Sequence, residues 1–548
     1  MKKISLFLVV LMLLCLVGCG PKQDDDIYIL YTNDIHCSVS ENLGYAGISA
    51  FKNEVESEHK YVTLVDNGDF SQGSSLGTLS HGEKIIEIMN KVGYDIVTIG
   101  NHDFDYGMDN LKHNIDVADF DFIGCNFNYI GTNENKLSEV KPYVIKEYGR
   151  TKIAFIGVLT PESVTKSTPT IFVEDNKIVY TFCYGDDGKE LFNKVQETVD
   201  EVRNEKVDYV ILMCHLGTAD SSAPYDAYDL IANTSGVDAV LDAHSHTEIV
   251  GEMIPNREGK DVLITSTGSN AKNIGELIIT KEGKLESMLV SEYEKKDEEV
   301  SKLIDDIQDE FKEKVNEVIC LNEADLTINI DGYRAVRNRE TTAGNFSADA
   351  LRIVSGMDIG VINGGGVRHD IPKGEVTYDN MLAVMPFQNQ VTAVYATGQQ
   401  ILDLLEVTSK DTEKLAYLDD KATGEFGGFL QVSGLKYTID TSIESSVVFE
   451  NEFFKEIAGE RRVKDVYVLQ NGEYVPIDPQ KKYSVAALTY QTTLAGDGVN
   501  VLLDCESIPC DKIDGLLDVE VLIKYAKENL NGVIPESYSQ LEGRITVE

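Results

Sequence analysis

The chain has 548 residues, too many for one hydrophobic core, so two or more domains are expected. Its 42% hydrophobic content is ordinary for a globular protein, but the formal charge is −43. Such acidity argues against wrapping a nucleic-acid polymer, which needs clustered Lys and Arg, and leaves room for a small anionic substrate held by local cations.

Lys2 and Lys3 precede an apolar run from Ile4 to Val17. The run is shorter than the roughly 20 residues a bilayer span needs, so residues 1–18 are expected to be a signal peptide. It ends LVGC at 16–19, which resembles the lipobox of bacterial lipoproteins. That resemblance implies cleavage before Cys19 and a lipid on Cys19. The protein would then be exported and anchored to the outer face of a bacterial membrane, at the cell surface or in the periplasm. A plain secretory signal is the alternative. Residues 19–26 read as a short polar tether. Of the nine cysteines, Cys15 would be removed and Cys19 lipidated, and the scattered remainder does not look like a disulfide framework. Cys505 and Cys510 are close enough in sequence to pair, and the sequence leaves that open.

Residues 27–293 form a first domain in which strands alternate with helices. Strands are expected at 27–31, 61–66, 95–99, 152–158, 207–214, 237–241 and 261–266, rich in Val and Ile. Helices at 82–92 and 189–205 lie between them, an α/β pattern. In 297–319, Val300, Leu303, Ile304, Ile307, Phe311, Val315 and Val318 repeat at three- and four-residue spacing. An amphipathic helix of about six turns is expected there. Residues 294–321 are read as a domain connector, an ordinary surface helix of the first domain being the alternative. A second α/β domain occupies 322–548.

Five of the nine histidines fall just past an apolar strand: His36 in NDIH, His102 in GNHD, His215 in CHLG, and His244 and His246 in DAHSH. Asp69 in NGDF stands in the same kind of place. In α/β sheets, sites collect outside the carboxyl ends of the strands. One such residue is ordinarily a turn residue; so many together point to a site. His-rich sets sharing a carboxylate suit borderline divalent ions such as Zn, Mn, Fe or Co. Asp34 and His36 stand two apart, and alternation along an extended segment would put both on one face and turn Cys37 away. The same alternation would turn Cys214 away from its neighbour His215.

In order, DIH, GDF, GNHDFD, HLG and HSH resemble the blocks of a calcineurin-type metallophosphoesterase domain. NGGGVR (363–368), MPFQN (385–389), GGFLQVSGLKY (427–437) and AGDG (495–498) resemble the C-terminal domain of the 5'-nucleotidase, UDP-sugar hydrolase and 2',3'-cyclic phosphodiesterase family. The resemblance covers nearly the whole chain after the expected signal peptide. It implies an N-terminal α-β-β-α sandwich, a connecting helix and a second α/β domain that binds substrate. It implies two divalent metal ions, one held by Asp34, His36 and His246, the other by Asn101, His215 and His244, with Asp69 bridging. His102 and Asp105 match the family's catalytic dyad, and Asp103 is given a supporting role behind the ligands. The implied reaction is in-line attack on phosphorus by a hydroxide held between the ions.

For the substrate, the resemblance implies contacts from Asn363, Gly365 and Arg368, from Arg337, and from Asp497. Phe387 matches one face of an aromatic clamp for the base. The second aromatic stands six residues before that Asp in the family; Gln491 is there instead, with Tyr490 beside it. Either Tyr490 takes the role or the clamp is one-sided. The ETTAGN stretch (340–345) also departs from the family's usual ETNLGN. The expected activity is an extracellular nucleotide phosphohydrolase of 5'-nucleotidase type. Alternatives are hydrolysis of 2',3'-cyclic nucleotides, UDP-sugars or dinucleotides, and, from another class, a non-catalytic surface adhesion protein.

Overall fold

The computed structural model describes residues 24–548 except 133–134, 168, 175–176, 220–221, 419–420 and 451–452. The expected signal segment, Cys19 and the start of the tether lie outside the described residues.

The first domain is built on two six-stranded sheets. In one, β1 (Ile27–Thr32), β2 (Tyr61–Asp66), β3 (Ile96–Thr98) and β4 (Asp121–Ile123) run parallel. An antiparallel pair, β11 (Ile274–Ile279) and β12 (Leu285–Val290), extends it beyond β1, giving the order β12-β11-β1-β2-β3-β4. The other has a parallel centre of β6 (Thr151–Leu159), β7 (Tyr209–His215), β8 (Ala239–Leu241) and β10 (Asp261–Thr267). Its edges are antiparallel: β5 (Tyr143–Tyr148) on β6 and β9 (Glu248–Pro255) on β10. The seven expected strands are all present, each within two residues of its expected bounds.

Alternation along β1 shows how the layers form. Ile27, Ile29 and Tyr31 pack between the sheets against Ile211 and Met213 of β7. Leu30 points to the opposite face, into a core with α1 (Gly44–Glu58), α2 (Glu83–Val92) and α3 (Met108–Val117). On the far side of the second sheet, Leu191, Val195, Val199 and Val202 of α4 (Lys189–Asn204) and Leu230 and Ile231 of α5 (Ala227–Asn233) cover Leu212 and Val240. Strands buried on both faces read as continuous apolar runs, and the result is the expected α-β-β-α sandwich.

The expected helix at 297–319 is shorter. α6 spans Glu298–Val315, capped by Asp297, whose carboxylate accepts from the Glu299 and Val300 N–H groups. Val300, Ile304 and Ile307 pack into the core outside the first sheet. Val318, counted in the apolar stripe, instead starts a strand, Val318–Asn322, that pairs with Gly374–Thr377 of the second domain. The periodicity ran on because this strand, paired on both sides, also carries apolar residues, and the break falls at Asn316. The helix thus packs as a surface element of the first domain, and near its end Lys314 Nζ lies 4.0 Å from the Tyr378 ring centroid.

The second domain centres on a mixed sheet, β15-β13-β16-β14 plus the short Glu506–Ser507. Its strands are β13 (Ile359–Asn363), β14 (Val391–Thr397), β15 (Leu430–Ser433) and β16 (Lys482–Leu488). Ile362, Ala486 and Leu488 face a core with α7 (Thr342–Ser355), α8 (Tyr378–Val384) and α9 (Asp518–Lys524). Ile359, Val361 and Val485 face the opposite core. The changed ETTAGN stretch is structural. Thr341 caps α7, and the Glu340 carboxylate accepts from Asn345 Nδ2 and from the N–H groups of Glu542, Arg544 and Ile545.

The seven described cysteines are free thiols, Cys505 and Cys510 included. The Cys505 sulfur accepts from Gln400 Nε2, while the Cys510 thiol faces the Ser355 carbonyl. The tether is fixed at its end. Asp24 accepts from Lys60 Nζ and Tyr61 OH, Asp25 from the Lys60 N–H, and Asp26 from the Lys281 N–H.

Candidate functional site

The carboxyl ends of β1, β2, β3, β7 and β8 converge at one end of the sandwich. The segments leaving β1 and β2 stay bonded past the strand ends, through Asp34 N–H to Gly68 O (3.0 Å) and His36 N–H to Asp69 O (2.9 Å). Asp34, His36, Asp69, His244 and His246 all have positive φ, between 48° and 74°. Non-glycine residues seldom adopt that conformation, and its gathering in one place marks a functional site. It also corrects the reason given for the spacing of Asp34 and His36. β1 ends at Thr32, so a left-handed turn, not strand alternation, brings both inward. Cys37 (φ 58°) is turned into the protein by the same turn, its sulfur 3.5 Å from Phe70 O. Cys214, which does lie in a strand, packs into the helix-covered core behind the second sheet. Gly68 and Gly100 let the GDF and GNHDFD loops cross: a Cβ on Gly100 would lie 2.2 Å from Asp69 Oδ1.

Two clusters result. Asp34, His36 and His246 offer ligand atoms within 4.8 Å of one another, and so do Asp69, His215 and His244. Asp69 lies between them, its Oδ2 3.3 Å from His215 Nε2 and 3.8 Å from His36 Nε2. Asn101, buried at the end of the β3 loop, lines the same cavity as Asp69 and His244.

The donor set fits cations. His36 Nδ1 donates to Gln72 O (3.0 Å) and His215 Nδ1 to Asn67 O (2.7 Å), so each Nε2 faces inward. His36 Nε2 and His246 Nε2 stand 3.0 Å apart, and the buried His215 Nε2 makes no hydrogen bond. Burial pushes His36 down to about 4, which leaves a lone pair for a metal. Burial also opposes charge on His215, but the neighbouring Asp69 carboxylate carries that ring up to about 10. Burial raises Asp34 to about 7.

Supporting groups lie behind the ligands. Both oxygens of Asp103 are used: Oδ2 accepts from the N–H of Asp69 and Gly100, and Oδ1 from the N–H of Phe70 and Ser71 and from Ser71 Oγ. This side chain locks the two loops together. Glu162 was not anticipated; its Oε2 lies 3.0 Å from His244 Nε2 and orients that ring. Its signal was legible, since TPE follows β6 at the same end of the sheet as the other blocks.

His102 stands beside the clusters. A 3₁₀ turn (His102–Phe104) puts His102 Nδ1 2.7 Å from Asp105 Oδ2, and the His102 N–H donates to Asp69 Oδ1. Burial holds His102 down at about 4 and Asp105 well above the usual carboxylate range. The other face of the ring stacks on Phe387 of the second domain, centroids 5.6 Å apart.

A cavity of ≈ 1260 Å3 opens from this end of the sandwich into the second domain. Arg337, Asn363, Gly365, Arg368, Phe387, Tyr490 and Asp497 all line it, together with Asn101, His102 and Asp105. Phe387 is half-buried and belongs to the cavity, not to a core, with the Arg368 guanidinium 5.7 Å from its ring. Burial lowers Arg337 to about 9 and Arg368 to about 10, so both stay cationic at neutral pH, and neither forms an ion pair among the described residues. Arg334, also in the cavity, is held by a forked pair to Glu425. Arg339 is structural, with Nη1 donating to Asn338 O. Of the two residues at the changed clamp position, Tyr490 lines the cavity and Gln491 is buried behind it.

Residues 27–248 match the calcineurin-like phosphoesterase family, and 295–504 match the 5'-nucleotidase C-terminal domain. The chain is 26% identical over 579 aligned residues to the trifunctional nucleotide phosphoesterase YfkN of Bacillus subtilis, across 96% of this chain but only 35% of that longer protein. It is 25% identical to a 5'-nucleotidase of Vibrio vulnificus, covering 94% of each. Among solved structures, a 5'-nucleotidase precursor of Thermus thermophilus superposes with a TM-score of 0.77 at 26% identity, over 95% of this chain and 99% of that one. With two ligand clusters for two divalent metals and both domains matched, the chain belongs to the calcineurin-like metallophosphoesterases with a 5'-nucleotidase C-terminal domain, as a metal-dependent phosphoester hydrolase.

Proposed function

We propose that the protein is a nucleotide phosphohydrolase of 5'-nucleotidase type that works outside the cell. The observation that carries this reading is the single cavity that joins the ligand clusters to Arg337, Arg368, Phe387 and Asp497. We assign Asp34, His36 and His246 to one ion, Asn101, His215 and His244 to the other, and Asp69 to both. When bound, the ions supply positive charge at the phosphoryl oxygens and acidify a water for in-line attack.

The protein's own groups do the rest. His102, fixed by Asp105, keeps Nε2 for the phosphoryl or leaving oxygen. Arg337 and Arg368 draw the anionic group from solvent and hold it by forked contacts. Phe387 offers a ring face to the base and Asp497 a carboxylate to its hydroxyl or amino donors. Phe387→Ala is therefore expected to raise KM for nucleotides at least about fivefold, the effect of losing one stacked base. A small chromogenic phosphate ester should be affected less, through the lost contact with His102. Equal damage to both substrates would assign Phe387 to the support of His102 alone.

A broader substrate range has one observation in its favour: ≈ 1260 Å3 exceeds the about 1,000 Å3 upper range of ordinary small-molecule sites. Cyclic nucleotides, UDP-sugars or dinucleotides would fit that space. A non-catalytic adhesion role is disfavoured, because a dead scaffold has no use for a full ligand set and an intact His102–Asp105 pair.

For location, we propose a lipid on Cys19. Asp24–Asp26 are tied to the starts of β1 and β2 and the end of β11, the end of the sandwich opposite the ligand clusters. An anchor there would hold the cavity mouth away from the membrane.

A further inference from the structure

The residue at the changed clamp position has a different use. Gln491 is buried, and its side chain makes two hydrogen bonds. Its Oε1 accepts from the backbone N–H of Leu488 at 3.0 Å, and its Nε2 donates to Asn363 Oδ1 at 2.7 Å. Asn363 ends β13, opens the NGGGVR loop and lines the cavity.

The direction of this chain is fixed from one end. A backbone N–H can only donate. Leu488 therefore demands the oxygen of Gln491, which leaves the Gln491 NH2 for Asn363, which must answer with its own oxygen. An amide orientation is ordinarily ambiguous, because its two ends look alike; here the backbone removes the ambiguity. The Asn363 NH2 is then the end left over, with no hydrogen-bond partner among the described residues. No aromatic side chain at 491 could impose this order.

We propose that Gln491 is a positioning residue that locks Asn363 as a hydrogen-bond donor toward the substrate, so that the site selects a nucleobase edge presenting an acceptor. This deepens the nucleotidase reading and rests on it. A site with a fixed buried donor rejects a ligand that brings another donor, since one of the two is left unpaired. Adenine and hypoxanthine differ in this way at ring N1, an acceptor in the first and an N–H donor in the second.

The test compares kcat/KM for adenosine and inosine monophosphates, with p-nitrophenyl phosphate as a base-free control. The wild type is expected to favour the adenosine nucleotide. Gln491→Met keeps the volume but frees Asn363 to rotate, and the preference should fall at least about fivefold toward unity. Asn363→Asp keeps the bond from Gln491 but turns an acceptor into the cavity, and the preference should reverse. Turnover of the control ester should stay near wild type in Gln491→Met, which also reports folding. An unchanged adenosine-to-inosine ratio in both variants, or equal loss on nucleotides and control ester in Gln491→Met, would overturn the proposal and leave Gln491 a structural cap. Hydrolysis of the control ester but of neither nucleotide by the wild type would instead refute the nucleotidase reading.

Discussion

Replacing His102 with Ala is expected to lower turnover about 10²- to 10⁴-fold, the usual range for a positioned acid–base group. Metal content should stay at two ions per chain. The geometry separates these effects. The His102 ring belongs to neither ligand cluster, and its Nδ1 is committed to Asp105. Its backbone N–H, which holds Asp69 Oδ1, survives the substitution. Turnover on nucleotides and metal content by elemental analysis read the two effects independently. Loss of an ion would show that the ring is a ligand. Asp105→Asn should give a smaller loss in the same direction, because an amide can still hold Nδ1 but brings no negative charge to an imidazolium.

Asp69→Ala should have the larger consequence for the metals. Its carboxylate lies between the clusters, 3.3 Å from His215 Nε2 and 3.8 Å from His36 Nε2, closer to His215 than the Asp34 carboxylate at 4.0 Å. Without it the two sets become separate sites, and the shared negative charge is lost. Metal content should drop below two ions per chain, and turnover should fall at least about 10³-fold, as several kcal/mol of charge stabilisation are lost. The loops should stay in place, since Asp103 still holds the N–H groups of residues 69–71 and 100. A variant that keeps both ions but loses activity would mean that Asp69 serves the reaction and not the metals.

Much of this was legible in the sequence, for stated physical reasons. Parallel strands buried on both faces leave continuous apolar runs, so β1, β2, β6 and β7 could be found and the polar blocks after them placed at one end of a sheet. The edge strands β5, β9 and β12 were not anticipated, being half-exposed in part, with Glu, Lys and Ser interrupting the apolar residues. The end of α6 was overrun because Val318 fits a helical stripe and the start of a strand equally well. The turn at Asp34–Cys37 could not be read either, since left-handed backbone in Asp and His leaves no mark like that of glycine. Glu162 was missed because a single carboxylate after a strand looks like a turn residue until His244 is brought beside it. The role of Gln491 was hidden because it depends on a backbone N–H three residues earlier and a side chain 128 residues away.

The most direct test is to strip the protein of metal, restore Mn or Zn, and follow phosphate release across mono-, di-, cyclic and sugar nucleotides while counting bound ions. The account predicts two ions per chain and release of phosphate from adenosine monophosphate only in their presence. Two ions bound with no hydrolysis of any nucleotide or model phosphodiester would contradict it.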